Sequence, residues 1–354
     1  MYCVHVVGAR PNFMKAAPVV RALAQEPGMR QSLVHTGQHY DQNMSDVFFR
    51  ELEIPEPDFN LAVGSGTHAH QTGQIMMRFE PVVEKFRPDW VLVYGDVNST
   101  IAAALVCSKL RIRVAHVEAG LRSFDRGMPE EINRLLTDQI ADLLFTPSED
   151  GNQNLLREGV PAERIRLVGN VMIDTLVRLL PKAAASLPQG LPRQYALVTL
   201  HRPSNVDDPE MLRPILQVLD GISHELPVIF PVHPRTRQRI EQLGFRAGEN
   251  LHFWEPQSYL QFLGLQQRAT VVITDSGGIQ EETTFLGVPC LTLRDSTERP
   301  ITVTVGTNVL LGHDLERLRS EVCAILRGQT KQSATPPLWD GHAAERIANI
   351  ISAG

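Results

Sequence analysis

Short, nearly uninterrupted apolar runs alternate along this chain with stretches whose apolar positions recur at helical spacing. Residues 3–7, 32–35, 90–94, 113–117, 143–146 and 165–168 read as strands, and 98–110 and 131–142 read as two of the intervening helices. Strands that are apolar on both faces belong in parallel sheets covered by helices on both sides. The alternation breaks at 181–194, a stretch rich in Ala, Pro, Leu and Gly that predicts a linker or irregular crossing. It then resumes with strand-like runs at 195–200, 227–232, 251–254, 271–274 and 290–293. The expected fold is therefore α/β, with two doubly wound, Rossmann-like domains over residues 1–172 and 173–340. A final helix near 341–354 is expected to pack back on the first domain. Doubly wound sheets bind ligands beyond the carboxyl ends of their strands, so the loops after each strand are the place to look for chemistry.

The length of 354 residues agrees with two domains, because single cores stop growing at roughly 250–300 residues. A net charge of -6 argues against nucleic acid or an anionic membrane as partner. The chain opens in a strand-like run without a basic leader or long apolar segment, which predicts a cytoplasmic protein. Cys3, Cys107, Cys290 and Cys323 are scattered through apolar patterns and read as buried thiols in a reducing compartment. His68 and His70 stand close together, but no third ligand follows in a metal-type pattern, so no metal is expected.

Among the loops, Thr274 to Glu282 (Thr-Asp-Ser-Gly-Gly-Ile-Gln-Glu-Glu) is the most informative. A strand, a turn at Ser276, Gly277 and Gly278, and then a helix points free backbone N–H groups at an anion. One of the following glutamates is expected to face outward and accept hydrogen bonds from ribose hydroxyls. The plain alternative is that the two glycines only tighten a turn. Arg10 and Lys15 flank the helix start after the first strand, a sensible place for phosphate-binding cations. Asp96 follows the 90–94 strand, where a helix N-cap would explain it. Glu118 follows the 113–117 strand and caps nothing obvious. Glu130 and Glu131 open a helix beside Arg134, after a 123–127 loop that could act as a lid. His201 and His233 end successive strands of the second half, and each is a candidate acid, base or phosphate contact. Arg294 and Arg299 are paired arginines suited to a diphosphate.

Taken in order, Gly8 to Pro11, Gly95-Asp96, His116 to Arg122, Pro129 to Glu131, His201-Arg202, Asp275 to Glu282 and Thr297 to Pro300 resemble the non-hydrolysing UDP-N-acetylglucosamine 2-epimerases. The resemblance implies the two-domain fold of GT-B-type glycosyltransferases with a central cleft, a homodimer, and no cofactor. It implies reversible C2 epimerisation of UDP-N-acetylglucosamine to UDP-N-acetylmannosamine, by elimination and re-addition of UDP through 2-acetamidoglucal. By position, Asp96, Glu118, Glu130 and His201 correspond to the family's catalytic residues. Arg10, Lys15, Gln257, Phe262, Ser276, Gly277, Gly278, Glu282 and Arg299 correspond to those that hold the nucleotide. After His201-Arg202 the chain reads Pro-Ser-Asn-Val-Asp where many members read Arg-Glu-Asn. Some members bind a second UDP-sugar as activator through a glutamine-rich surface; here Gln38-His39 is kept and Tyr40-Asp41 follows. Four other readings share many of these residues: a hydrolysing 2-epimerase, a 2-epimerase for a related UDP-sugar, a GT-B-type glycosyltransferase and a nucleotide-sugar sensor.

Overall fold

The computed structural model describes residues 1–38 and 52–354, so His39, Tyr40 and Asp41 lie outside the described residues. The chain forms two compact units, Met1–Val177 with Pro337–Gly354, and Arg178–Pro336.

The first unit is built on β1 (Tyr2–Val7), β2 (Arg30–His35), β3 (Phe59–Asn60), β4 (Trp90–Tyr94), β5 (Arg113–Val117), β6 (Leu143–Thr146) and β7 (Ile165–Leu167). All pairings are parallel, in the order β3-β2-β1-β4-β5-β6-β7. Val4 and Val6 stand in register with Val91 and Val93, all buried, so the centre of the sheet is a strip of β-branched side chains. The chain winds away from β1 in one direction and returns to β4 to wind in the other. Beyond the ends of β1 and β4 the loops therefore diverge, and that gap is where a doubly wound sheet accepts a ligand.

The closing segment is tied into this unit. Helix Ala343–Ser352 packs on helix Arg10–Leu23, and Asp174 accepts from the N–H groups of Ala343 (3.2 Å) and Ala344 (2.6 Å). Trp339 is buried and donates its indole N–H to Pro147 O at 2.9 Å.

The second unit repeats the plan with β8 (Ala196–Thr199), β9 (Val228–Pro231), β10 (Leu251–Trp254), β11 (Val271–Thr274), β12 (Cys290–Thr292) and β13 (Asn308–Leu310). Its strands are also parallel, ordered β10-β9-β8-β11-β12-β13, with the switch point between β8 and β11. Alternate residues feed opposite cores. Ala196 and Val198 face the cluster of Leu212, Ile215 and Leu219, whereas Tyr195 and Leu197 face Leu265 and Val288. Among the described residues, no helix is long and apolar enough to cross a membrane.

Residues 181–194 are not an irregular crossing throughout. Helix Val171–Ala185 runs through Pro181, because the alanines that follow favour helix enough to absorb one missing backbone hydrogen bond. The helix expected from residue 131 starts at Pro129, a proline at the first turn where its absent N–H costs nothing. Cys3, Cys107 and Cys290 are buried, while Cys323 is only half-buried.

Gly169 has φ +91°, and a β-carbon there would stand 2.1 Å from Leu338 O, where the closing segment meets the first unit. Gly169→Ala is expected to destabilise the protein by about 3 kcal/mol through strain and overlap together. Chemical denaturation followed by tryptophan fluorescence checks this, and an unchanged midpoint would contradict it.

Candidate functional site

Each unit gathers charged side chains at its switch point. In the first unit, Asp96 follows β4 and Glu118 follows β5, and these two strands are direct neighbours. Asp96 does not cap a helix. Val97 is the N-cap of helix Asn98–Leu110, and the Asp96 carboxylate instead meets Arg134, with Nη2 at 2.5 Å and Nε at 3.1 Å. Arg134 reaches further to Glu131 at 3.0 Å. Glu131 is buried and accepts from Ser123 N and Oγ, both at 2.8 Å, and from Phe124 N at 3.1 Å. One arginine thus ties Asp96 to the backbone of the 123–127 loop.

Glu118 is buried, and Lys15 Nζ lies 2.7 Å from its carboxylate. Lys15 reaches it beside Gly95, where a β-carbon would come within 2.7 Å of the ammonium. The Glu118 backbone is left-handed, with φ 74°, a conformation that costs a non-glycine residue energy and recurs at functional positions. It is held there by hydrogen bonds from the N–H groups of Glu118 and Ala119 to Phe145 O. Glu130, the predicted partner, is half-buried in the first turn of helix Pro129–Ile140, and its neighbour Glu131 makes the network contacts. Arg10 begins helix Arg10–Leu23, and its side chain lies outside the described residues.

In the second unit, helix Gly277–Leu286 follows β11. Ser276 is its N-cap and makes no capping bond with its side chain, so the first-turn N–H groups have no side-chain acceptor there. A β-carbon at Gly277 would stand 2.6 Å from Arg299 Nη1, so glycine leaves room for the guanidinium there. The Arg299 guanidinium therefore lies directly against the positive end of this helix, and the two together suit a doubly charged anion. Glu281 holds Arg299 Nε at 2.9 Å, and Glu298 lies 3.4 Å from Nη1.

Arg294 does not pair with Arg299 to face a ligand. Its fork is taken by Glu298, at 3.0 and 2.7 Å, in a buried bidentate bridge. Burial would raise the Glu298 carboxyl, but Arg294 and Arg299 hold it well below the usual carboxylate range.

His201 Nδ1 lies 2.9 Å from Asp275 Oδ1, and the His201 side chain is 56% exposed. Asp275 is fully buried and also accepts from the backbone N–H groups of His201 and Arg202 and from Asn205 Nδ2. Burial pushes the Asp275 carboxyl up, but His201, Asn205 and the Arg202 N–H outweigh it and leave it below its ordinary value. The ionised aspartate fixes the ring orientation and leaves Nε2 for a ligand, as in any histidine oriented by a carboxylate.

Other predicted residues fall elsewhere. His233 is exposed and caps helix Pro234–Gln242, accepting from Arg235 N at 3.3 Å. Gln257 donates to Glu255 O, and Phe262 packs partly buried against Tyr195 and Leu265. Neither glutamate of the 274–282 turn faces outward: Glu281 is 1% exposed and Glu282 is 2% exposed. Tyr259 donates to Glu282 at 2.9 Å. Sequence reasoning missed the parts of Arg134 and Asp275. The signal was available, since Asp275 directly follows an apolar strand and Arg134 stands one helical turn after Glu130. Among the described residues, no group of three or more His, Cys, Asp or Glu side chains could hold a metal ion.

The family model described as UDP-N-acetylglucosamine 2-epimerase matches residues 21–352. The UDP-N-acetylglucosamine 2-epimerase of Methanocaldococcus jannaschii is 44% identical over 362 residues, covering 99% of this chain and 98% of that one. The UDP-2,3-diacetamido-2,3-dideoxy-D-glucuronate 2-epimerase of Pseudomonas aeruginosa is also 44% identical, over 352 residues and 98% of each chain. The crystal structure of the M. jannaschii UDP-GlcNAc 2-epimerase in complex with UDP-GlcNAc and UDP superposes with a TM-score of 0.90, at 43% identity over the whole of both chains.

Burial raises Glu282 from 4.5 to about 7, despite the opposing hydrogen bonds from Tyr259 and Gln266. A raised carboxyl favours the folded state below the unfolded value and loses that contribution as pH climbs through the folded one. The Glu282 contribution to stability should therefore fall between about pH 4.5 and 7. Relative to wild type, Glu282→Gln is expected to gain about 3 kcal/mol on going from pH 5 to pH 8. Urea unfolding of both proteins at the two pH values measures it, and parallel shifts would contradict the assignment.

Proposed function

This chain belongs to the UDP-N-acetylglucosamine 2-epimerase family, and we propose that it inverts C2 of UDP-N-acetylglucosamine without hydrolysing it. The observation that carries the reading is the pair of carboxylates after adjacent strands β4 and β5. Asp96 and Glu118 are each set against a cation, and Glu118 is held in a strained backbone. Transfer of a sugar to an acceptor needs no proton chemistry at C2, whereas epimerisation needs groups that remove and return a proton there.

In the proposed reaction the C2–H bond breaks with its proton passing to a carboxylate. The C1–O bond breaks with its electron pair going to the β-phosphate oxygen, and a C1=C2 double bond forms. Re-addition of UDP to C1 with protonation of C2 from the opposite face gives UDP-N-acetylmannosamine. Glu118 and Glu130 act as the proton-transfer pair, and Asp96 assists. His201, oriented by Asp275, and Arg299 at the helix N-terminus of Gly277 and Gly278 stabilise charge on the departing diphosphate. Arg10 adds to that charge stabilisation, and Lys15 is set against the Glu118 carboxylate. Ser276 and Gln257 hold the rest of the nucleotide, while Phe262 and Glu282 are packed inward within the second unit. The equal likeness to a diacetamido-glucuronate 2-epimerase supports a second reading, the same chemistry on a UDP-sugar substituted at C3 and C6.

Proton NMR of the enzyme with UDP-N-acetylglucosamine in D₂O should show UDP-N-acetylmannosamine carrying deuterium at C2. Free N-acetylmannosamine with UDP would instead identify a hydrolase, and turnover only of the diacetamido-glucuronate nucleotide would identify the second reading. No reaction with either sugar would overturn the proposal. Glu118→Gln and Glu130→Gln should each lower kcat by about 10²–10⁴-fold, as expected for loss of an acid or base. Near-wild-type turnover of either variant removes that residue from the pair.

A further inference from the structure

His116 lies on β5, two residues before Glu118, and is fully buried. Its Nε2 is 2.8 Å from Gly95 O, the carbonyl that leads into Asp96. A carbonyl oxygen only accepts, so Nε2 carries a hydrogen. On the other side, Nδ1 is 2.7 Å from Asp138 Oδ1. Asp138 is fully buried as well, and its Oδ2 takes Arg122 Nη1 at 2.7 Å and the Gly120 N–H at 3.1 Å. The Arg122 guanidinium and the Gly120 N–H, both on Oδ2, favour the ionised form of this carboxyl. An ionised carboxylate has no hydrogen to give, so Nδ1 donates too.

We propose that His116 is a buried imidazolium that acts as a positioning residue for the two loops carrying Asp96 and Glu118. A neutral ring would turn one bare nitrogen toward an acceptor, leaving two lone pairs facing each other in a dry interior. The charge is balanced locally: His116 and Arg122 are met by Asp138 and by Glu158, which grips Arg122 Nε at 2.8 Å and Nη2 at 2.6 Å. Through Nε2 the ring fixes the turn into Asp96. Through Asp138 it fixes the N–H of Gly120, two residues after Glu118, and so braces the left-handed backbone there. The carboxylates that follow β4 and β5 are thereby held at a set separation by a single side chain that touches neither of them.

The test is ¹⁵N–¹H NMR of the histidine rings at about pH 8, well above the range in which an ordinary imidazole is charged. Both ring nitrogens of His116 should show a bonded hydrogen in the wild-type enzyme, and one bare ring nitrogen would overturn the proposal. Asp138→Asn offers an amide N–H to Nδ1 and so permits a neutral ring. In that variant the Nδ1 hydrogen should vanish, and kcat per UDP-binding molecule should fall about tenfold or more, with KM within about threefold. A merely structural role would lower the yield of folded protein and leave kcat per binding-competent molecule unchanged, and that result would also overturn it. If Asp138→Asn does not fold, the wild-type ring measurement still decides. The kinetic arm rests on the proposed 2-epimerase reaction. Absence of turnover in the wild type would sink that reaction, while the ring hydrogens would decide this inference independently.

Discussion

A carboxylate taken into a dry interior needs a cation or several N–H donors placed against it, and such pairings recur in both units. Removing one partner of such a pair leaves an uncompensated charge in a dry interior, which costs about 3–5 kcal/mol. Glu118 is met by Lys15, Asp96 and Glu131 by Arg134, Asp138 by His116 and Arg122, and Glu298 by Arg294. None of these pairs is a surface bridge, whose worth would be small and screened. Lys15, His116 and Arg122 come from elements other than the one that carries their carboxylate, Arg134 reaches from its own helix to the loop after β4, and Arg294 and Glu298 close a single loop on itself. The pairs therefore act as rivets between loops as well as charge partners.

Parallel winding is what makes this arrangement possible. Because every strand of a unit runs the same way, the loop after each strand emerges at the same edge, and polar side chains accumulate there while the apolar runs stay in the sheet. The price is backbone strain at that edge, visible in the left-handed Glu118. The strain is tolerated because the Phe145 carbonyl and the Lys15 ammonium hold backbone and side chain from two directions.

Most strands and the loops after them were legible because uninterrupted apolar runs and period-3.6 patterns report burial directly. Strand ends and the 171–185 helix were less so, since a proline weakens a local signal without overruling the alanines and the packing around it. The charged residues were legible as candidates but not as pairs. Lys15 reads as a phosphate cation until the fold sets it on Glu118, and Arg294 reads as half of a diphosphate clamp until Glu298 occupies its fork. Glu282 reads as a surface ligand until its helix turns it onto Tyr259. Pairings between residues distant in sequence depend on strand order, and the pattern along one chain does not encode strand order locally. Family likeness supplied roles for Asp96, Glu118 and His201, whereas Arg134 and Asp275 emerged only from distances.

The neutralisation around Arg299 bears on how an elimination can be reversible. Departure of UDP adds negative charge to its β-phosphate, so a bare guanidinium at a helix N-terminus would favour the eliminated state strongly. Stabilising an intermediate beyond its neighbours deepens a trap and slows the return step, because only preferential stabilisation of the transition state raises turnover. Here Glu281 and Glu298 draw off part of the Arg299 charge while keeping its orientation against Gly277. In the proposed reaction, that tempering keeps separated UDP and glycal close in free energy to the intact nucleotide sugar. A transferase has no such constraint, since its nucleotide leaves for good. In the proposed reaction, acidic partners on Arg299 are thus a feature that suits reversible re-addition.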